Sequence, residues 1–179
     1  MKESIGGTWL IGIVALFIVL FSAFMAYSIN YTKAFRAKNG IIDLIEQNEG
    51  YTFYNGSNIN NMTQEQLMND SSVQAQAYAL VKSMGYDYGD SKASGVVCNN
   101  DNTISGTGAE TKMASAYQPG GYCVYRFCNS DGTYRYKVVT YVMMKFPVIN
   151  FGITVPIKGE TKTLYYEIDN AYNGLCTNK

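Results

Sequence analysis

Residues 9–29 read WLIGIVALFIVLFSAFMAYSI, a stretch without charge or proline. At about 1.5 Å of rise per residue, some 20 apolar residues in a helix span the ~30 Å hydrocarbon core of a bilayer. Trp9 stands at one end and Tyr27 and Tyr31 at the other, where amphipathic rings prefer the membrane interface. The stretch predicts a transmembrane helix over 9–30, preceded by a short polar leader, 1–8. A cleaved secretory peptide has a shorter apolar core and a small-residue cleavage site; Ser22-Ala23 and Ala26-Tyr27-Ser28 are poor sites. A buried helix of a soluble core is rarely apolar all round for this length.

The rest of the 179-residue chain is large enough for one domain with its own core. Helical spacing continues past the anchor: Tyr31, Ala34, Lys38, Ile41, Ile42 and Ile45 recur every three or four residues, which predicts an amphipathic stalk over 31–50. Asn39-Gly40 reads as a kink or early stop and Glu49-Gly50 as the firmer end. Residues 51–179 then form the domain proper. Thr63-Gln64-Glu65-Gln66 has capping-box form. Val73, Ala77, Leu80, Val81 and Met84 mark one face of a second helix, with a possible restart at Asp70-Ser71 and a stop at Gly85. Polar loops follow to Gly120.

From Gly121 the period becomes two. Strands are expected over 122–128, 134–145, 149–157 and 161–168, joined by turns at Asn129-Ser130-Asp131-Gly132 and Lys158-Gly159-Glu160. Pro147 and Pro156 suit an edge strand. The expected fold is α+β: a long N-terminal transmembrane and stalk helix, a second helix, and a C-terminal antiparallel sheet of about four strands, one face of it covered by the helices.

Lys+Arg and Asp+Glu number 14 each, with no basic stripe, so nucleic acid is not an expected partner. There is no histidine, which removes Ser-His-Asp and Cys-His catalysis and every His-containing metal site. The cysteines are Cys98, Cys123, Cys128 and Cys176. An even count after an anchor suggests two disulfides in an oxidising compartment; a four-cysteine zinc site and free buried thiols are the competing readings. Cys123 and Cys128 fall on opposite faces of a regular strand, so each should pair elsewhere. Cys98–Cys123 with Cys128–Cys176 is the preferred pairing, although spacing does not decide it.

Other candidates carry less. Asn99–Asn102 lack the acidic spacing of a calcium loop. Asp87 and Asp90 read as turn formers. Asn55, Asn61 and Asn69 head short glycosylation patterns. Tyr117, Tyr122, Tyr125, Tyr134, Tyr136 and Tyr141 suggest a tyrosine-rich sheet, part core and part contact surface. No catalytic group or cofactor site emerges, and the chain is expected not to be an enzyme. Small residues at Gly12, Ala15, Ser22, Ala23 and Ala26 would let another helix approach.

KESIGGTWLIGIVALFIVLFSAFMAYSINYTKAF at the start and YVMMKFPVINFGITVPIKGETKTLYYE near the end resemble the TadE/TadF-like minor pilins of Tad/Flp-type pili. The resemblance covers both ends of the chain and leaves about residues 50–120 aside. It implies a pilin-like architecture, a cytoplasmic N-terminus and an extracytoplasmic domain, although Lys33, Arg36 and Lys38 follow the anchor and only Lys2 precedes it, the reverse of the usual charge bias. Its implied partners are membrane lipid and other pilin-like subunits or pilus assembly proteins, with no small-molecule ligand. Pilin leaders are cut after a glycine. Cutting between Gly7 and Thr8 puts Gly12 at the fifth mature position, where the family pattern has Glu, so an uncleaved accessory protein is the form implied. The alternative is a single-pass anchored binding module unrelated to pili, with a pocket lined by Tyr86, Tyr88 and Tyr117.

Overall fold

The computed structural model describes residues 2–55, 59–86, 98, 117–118, 120–128, 133–146 and 151–165. Its first element is one unbroken helix, α1, Lys2–Gln47. The helix runs on to the firmer end at Glu49-Gly50, without the kink or early stop that Asn39-Gly40 offered. Gly40 instead serves close packing: a Cβ there would lie 2.5 Å from Leu80 Cδ2 of the helix across from it. The helix ends where Glu49 turns to φ 52° and the Gly50 N–H donates to the Ile45 carbonyl at 3.0 Å, a Schellman closure with Glu at the left-handed position.

The second helix of the sequence reading is two. Thr63 and Gln66 form a reciprocal capping box for α2, Gln64–Met68. Ser72 then caps α3, Val73–Ser83, and the Asp70 carboxylate accepts from the Ser72 N–H at 2.8 Å. The short acidic and hydroxyl side chains offer the backbone these local bonds in place of a continuous ladder. Gly85, at φ 65°, closes α3, and the Tyr86 N–H donates to the Val81 carbonyl at 2.9 Å.

The sheet holds three long antiparallel strands, β2 (Tyr122–Cys128), β3 (Tyr134–Phe146) and β4 (Phe151–Glu160), with the two-residue β1, Tyr117–Gln118, against the outer edge of β2. Two expectations need correction. Lys158-Gly159-Glu160 is not a turn but the last part of β4, with Glu160 opposite Lys137. Gly159 is there for room, since a Cβ would come within 2.7 Å of both Ile42 and Lys38 on α1. The fourth strand expected over 161–168 is seen across 161–165 only as a bridge between Leu164 and Tyr134; residues 166–168 lie outside the described residues.

Alternation sorts the sheet residues onto two faces. Tyr122, Val124, Tyr136, Val138 and Val142 join Ala34, Ala37, Ile41 and Ile45 of α1 and Val73, Ala77 and Val81 of α3 in the main core. Tyr125, Phe127, Val139 and Tyr141 form a second buried cluster behind the sheet with Cys98 and Cys123. The sequence reading had one face covered by helices; part of the other face, over β2 and the adjoining stretch of β3, is buried as well, while Pro156, Lys158 and Glu160 of β4 on that side are exposed. Each fully buried aliphatic side chain of this kind contributes about 1.5–3 kcal/mol.

Tyrosine hydroxyls tie the layers together. Tyr51 and Tyr122 share a hydrogen bond of 2.9 Å in the core, and the Tyr136 hydroxyl accepts from the Tyr51 N–H at 3.2 Å. The Tyr86 hydroxyl donates to the Gly121 carbonyl at 3.0 Å and accepts from the Tyr141 N–H at 2.7 Å. The β2–β3 register sets Cys123 opposite Val139, so its next step in phase would set Gly121 opposite Tyr141. The Tyr86 hydroxyl takes the place of that rung. Gly120 and Gly121, at φ 93° and 89°, turn the chain away there.

Gly120→Ala should destabilise the domain by about 2 kcal/mol or more, measured by thermal unfolding of the full chain in detergent. The positive φ disfavours a side chain, and its Cβ would lie 2.5 Å from Val81 Cγ2. A second expectation concerns pH. Burial is the main cause that raises the Tyr51 and Tyr122 hydroxyls above their ordinary pKa of 10.0. The unfolded chain therefore releases these protons first, near pH 10. Stability should be unaffected by this pair below about pH 10 and fall above it, with tyrosinate absorbance appearing as the domain unfolds. Tyr51→Phe or Tyr122→Phe alone should cost about 1–2 kcal/mol, and the double variant less than their sum.

Candidate membrane-anchoring and interaction site

Among the described residues α1 is the one helix long and apolar enough to cross a membrane. Its first half makes no use of the domain. Trp9, Phe17 and Phe24 are 74, 68 and 63% exposed, and large apolar side chains show on every side from Trp9 to Ile29. Most of that stretch is bare, Tyr27 is half-buried against the edge of the core, and from Ala34 onward one side of the helix is core. Polar groups in the bare half are satisfied locally: Ser22 Oγ donates to the Ile18 carbonyl at 2.8 Å, which suits a non-aqueous surrounding.

The five small residues Gly12, Ala15, Ser22, Ala23 and Ala26 fall within an arc of about 100° at 100° per residue. That arc overlaps the side on which Ala37 and Ile41 meet the sheet. A second helix packed along it would therefore approach from beneath the domain rather than from the opposite side.

At the boundary between the two halves an aromatic stripe runs along α1. Tyr27 and Tyr31 have ring centroids 6.0 Å apart, Tyr31 and Phe35 6.3 Å, and Lys38 Nζ lies 4.4 Å from the centre of the Phe35 ring. The three cations after the anchor are not alike. Lys38 is buried, its stem against Gly159 and its ammonium over an aromatic face. Lys33 and Arg36 instead border an open groove of about 440 Å³ with Met25, Ser28, Ile29, Thr32 and Met84. The sequence signal for that groove is the spacing of its six α1 residues, 25, 28, 29, 32, 33 and 36, one helical stripe; the sequence reading passed over it because Met84 arrives from a different helix.

Cys98 and Cys123 form a disulfide with Cα atoms 5.7 Å apart, closing a loop whose restriction of the unfolded chain contributes about 3 kcal/mol in the chain-entropy account. The Tyr141 hydroxyl lies 3.4 Å from Cys123 Sγ. The Cys128 side chain and Cys176 lie outside the described residues, as do Asp87, Tyr88, Asp90, Asn99–Asn102 and the side chain of Tyr117. Tyr86 is not a pocket wall: it is buried, with its hydroxyl committed to the sheet. Gly7, Thr8 and Gly12 lie within α1, and a Cβ at Gly7 or Gly12 would meet nothing within 4 Å. Among the described residues no three His, Cys, Asp or Glu side chains gather in a metal-binding arrangement.

One charge in the middle of the bare helix tests its role. Val19→Arg places a cation near the bilayer centre, at a cost of about 2.5–3.5 kcal/mol on insertion scales. The variant should move from the alkali-resistant membrane fraction toward the extractable one, whereas Asn48→Arg, past the end of α1, should not. Comparison with known proteins finds no family model, no curated protein and no solved structure that matches this chain.

Proposed function

We propose that the chain is a non-enzymatic, single-pass, membrane-anchored pilin-like protein, a minor subunit or an assembly or adhesion factor of a Tad/Flp-type bacterial pilus. Its N-terminus lies in the cytoplasm and its α+β domain outside. The observation that carries this reading is the continuity of α1 through Lys2–Gln47: one rod is bare and apolar over its first half and becomes the central core helix of a sheet domain over its second. A subunit built this way transmits position along the rod. Where its apolar half packs, in lipid or beside other apolar helices, decides where the domain stands.

Two further observations support an extracytoplasmic domain. The Cys98–Cys123 disulfide suits an oxidising compartment. The basic cluster after the anchor is also weaker than its sequence suggests, since Lys38 is taken up by the domain. The alternative, an anchored binding module with a tyrosine-lined pocket, loses one of its three expected walls with Tyr86 in the core.

The experiment is intact mass and N-terminal sequence of the protein from its native membrane, with alkylation before and after reduction, alongside a sheared surface-fibre fraction. The expected result is a chain found with pilus components, whose Cys98 and Cys123 react only after reduction. A start at Met1 supports an anchored accessory role and a start at Thr8 supports a processed subunit. Cysteines that alkylate freely in intact cells, or a chain that neither enters fibres nor co-purifies with pilus proteins, would overturn the proposal.

A further inference from the structure

The groove between α1 and the end of α3 has a composition that the pilin-like reading leaves unused. Its floor is apolar, from Met25, Ile29 and Met84, and its upper rim carries Lys33 and Arg36. Neither cation has an ion pair or a hydrogen bond among the described residues. Lys33 Nζ reaches across toward Gly85, where an added Cβ would lie 3.4 Å from it, so the ammonium stands in the mouth of the groove beside the end of α3. The hydroxyl of Thr32 is turned back to the Ser28 carbonyl at 2.8 Å, which leaves Lys33 and Arg36 as the charged groups of the groove, with Ser28 beside them.

Depth along the helix decides what can fill this groove. Taking Ile29 as the end of the hydrocarbon span, Lys33 lies about 6 Å and Arg36 about 10 Å beyond it at 1.5 Å per residue. The headgroup layer of a bilayer is about 5–7 Å thick on each side. Lys33 and Arg36 therefore lie at or just above the phosphates, within reach of their flexible stems, while Met25 and Ile29 lie among the first carbons of the acyl chains. An apolar floor below and paired cations above match the two parts of a phospholipid in the order the membrane presents them.

We propose that this groove binds one anionic phospholipid of the surrounding leaflet, its phosphate between Lys33 and Arg36 and the start of one acyl chain along Met25, Ile29 and Met84. The inference rests on the membrane-anchor part of the proposed function and not on the pilus assignment. It also gives these cations a role on the outer side of a membrane, where the usual charge bias would not put them. The bound lipid would hold the end of α3 down against the headgroups and so set the tilt of the domain.

The test uses the full chain, reconstituted in mixed micelles containing equal phosphatidylglycerol and phosphatidylcholine, with retained lipid read by native mass spectrometry. The single tryptophan of the chain, Trp9, sits at the opposite end of the apolar span, and its quenching by brominated acyl chains reports insertion independently. Phosphatidylglycerol should be retained over phosphatidylcholine. Lys33→Gln with Arg36→Gln should lower that retention about 25-fold, given roughly fivefold for each cation near an anionic surface, with Trp9 quenching unchanged. Arg36→Gln alone, at an exposed position, should show part of the loss. Lys158→Gln with Lys162→Gln removes the same charge elsewhere and should change little. Equal retention by the wild type and the groove variant, with Trp9 quenched, would overturn the lipid site and leave the anchor standing. Displacement of the lipid by millimolar inorganic phosphate would overturn the lipid as occupant, and an unquenched Trp9 would overturn the anchor reading itself.

Discussion

The contact on which the molecule depends is the one between the second half of α1 and the inner face of β3. Ala34, Ala37, Ile41 and Ile45 present a narrow buried edge to Val138 and Val142, and small residues let the helix come close. At that distance the Thr140 hydroxyl, wholly buried, reaches the Ala34 carbonyl at 2.9 Å, so a sheet side chain is fastened to the helix backbone itself. β4 approaches the same helix through Gly159, and α3 approaches it through Gly40. Remove α1 from 34 to 45 and three elements lose the surface on which they pack. The apolar half of α1 is therefore not an appendage joined by a linker. It is the free end of the core's central rod.

Around that contact the structure uses hydroxyl groups where a simpler core would use only methyl groups. Tyr51 to Tyr122, Tyr136 to the Tyr51 backbone, Tyr86 to both Gly121 and Tyr141, and Tyr134 to the Glu49 carbonyl at 2.7 Å each join an irregular segment to the helix or the sheet. A tyrosine buries a large ring and still satisfies a polar group at its tip. That combination suits segments such as 48–55 and the end of α3, which have backbone groups to satisfy but no ladder of their own. At the far end of α1, Glu46 accepts from the Lys162 N–H at 2.7 Å and pairs with its ammonium at 3.4 Å. That surface pair contributes little by itself, but with the Leu164 bridge it holds the chain after β4 to the helix end.

A stiff rod that is bare and apolar over one half and core over the other has a mechanical consequence. Rotation or translation of the apolar half cannot be absorbed at a hinge, because Asn39-Gly40 is packed and helical. Contacts made along the apolar half would therefore orient the domain. The arc lies on the domain's side of α1, so a helix partner would come under the sheet while a lipid in the groove would lie to one flank.

The sequence by itself determined the elements whose cause is local. The apolar run, the helical spacing to Ile45, the Thr63 capping box, the Gly85 stop and the alternation through β2 and β3 are patterns of neighbours, and neighbours are what a sequence contains. The α+β class followed from their order. Tertiary structure alone decided what Gly40 and Gly159 are for, because a glycine that ends an element and one that admits another element look the same in one dimension. It decided that part of the sheet's second face is buried around Cys98, that Tyr86 belongs to the core, and that Lys38 is spent on packing while Lys33 and Arg36 border a groove. Each of these depends on a residue far away in the chain, Leu80, Ile42, Cys98, Gly121 or Met84, and on the distance at which folding brings it. Local pattern specifies which surface a segment has to bury; only the packed structure specifies against what.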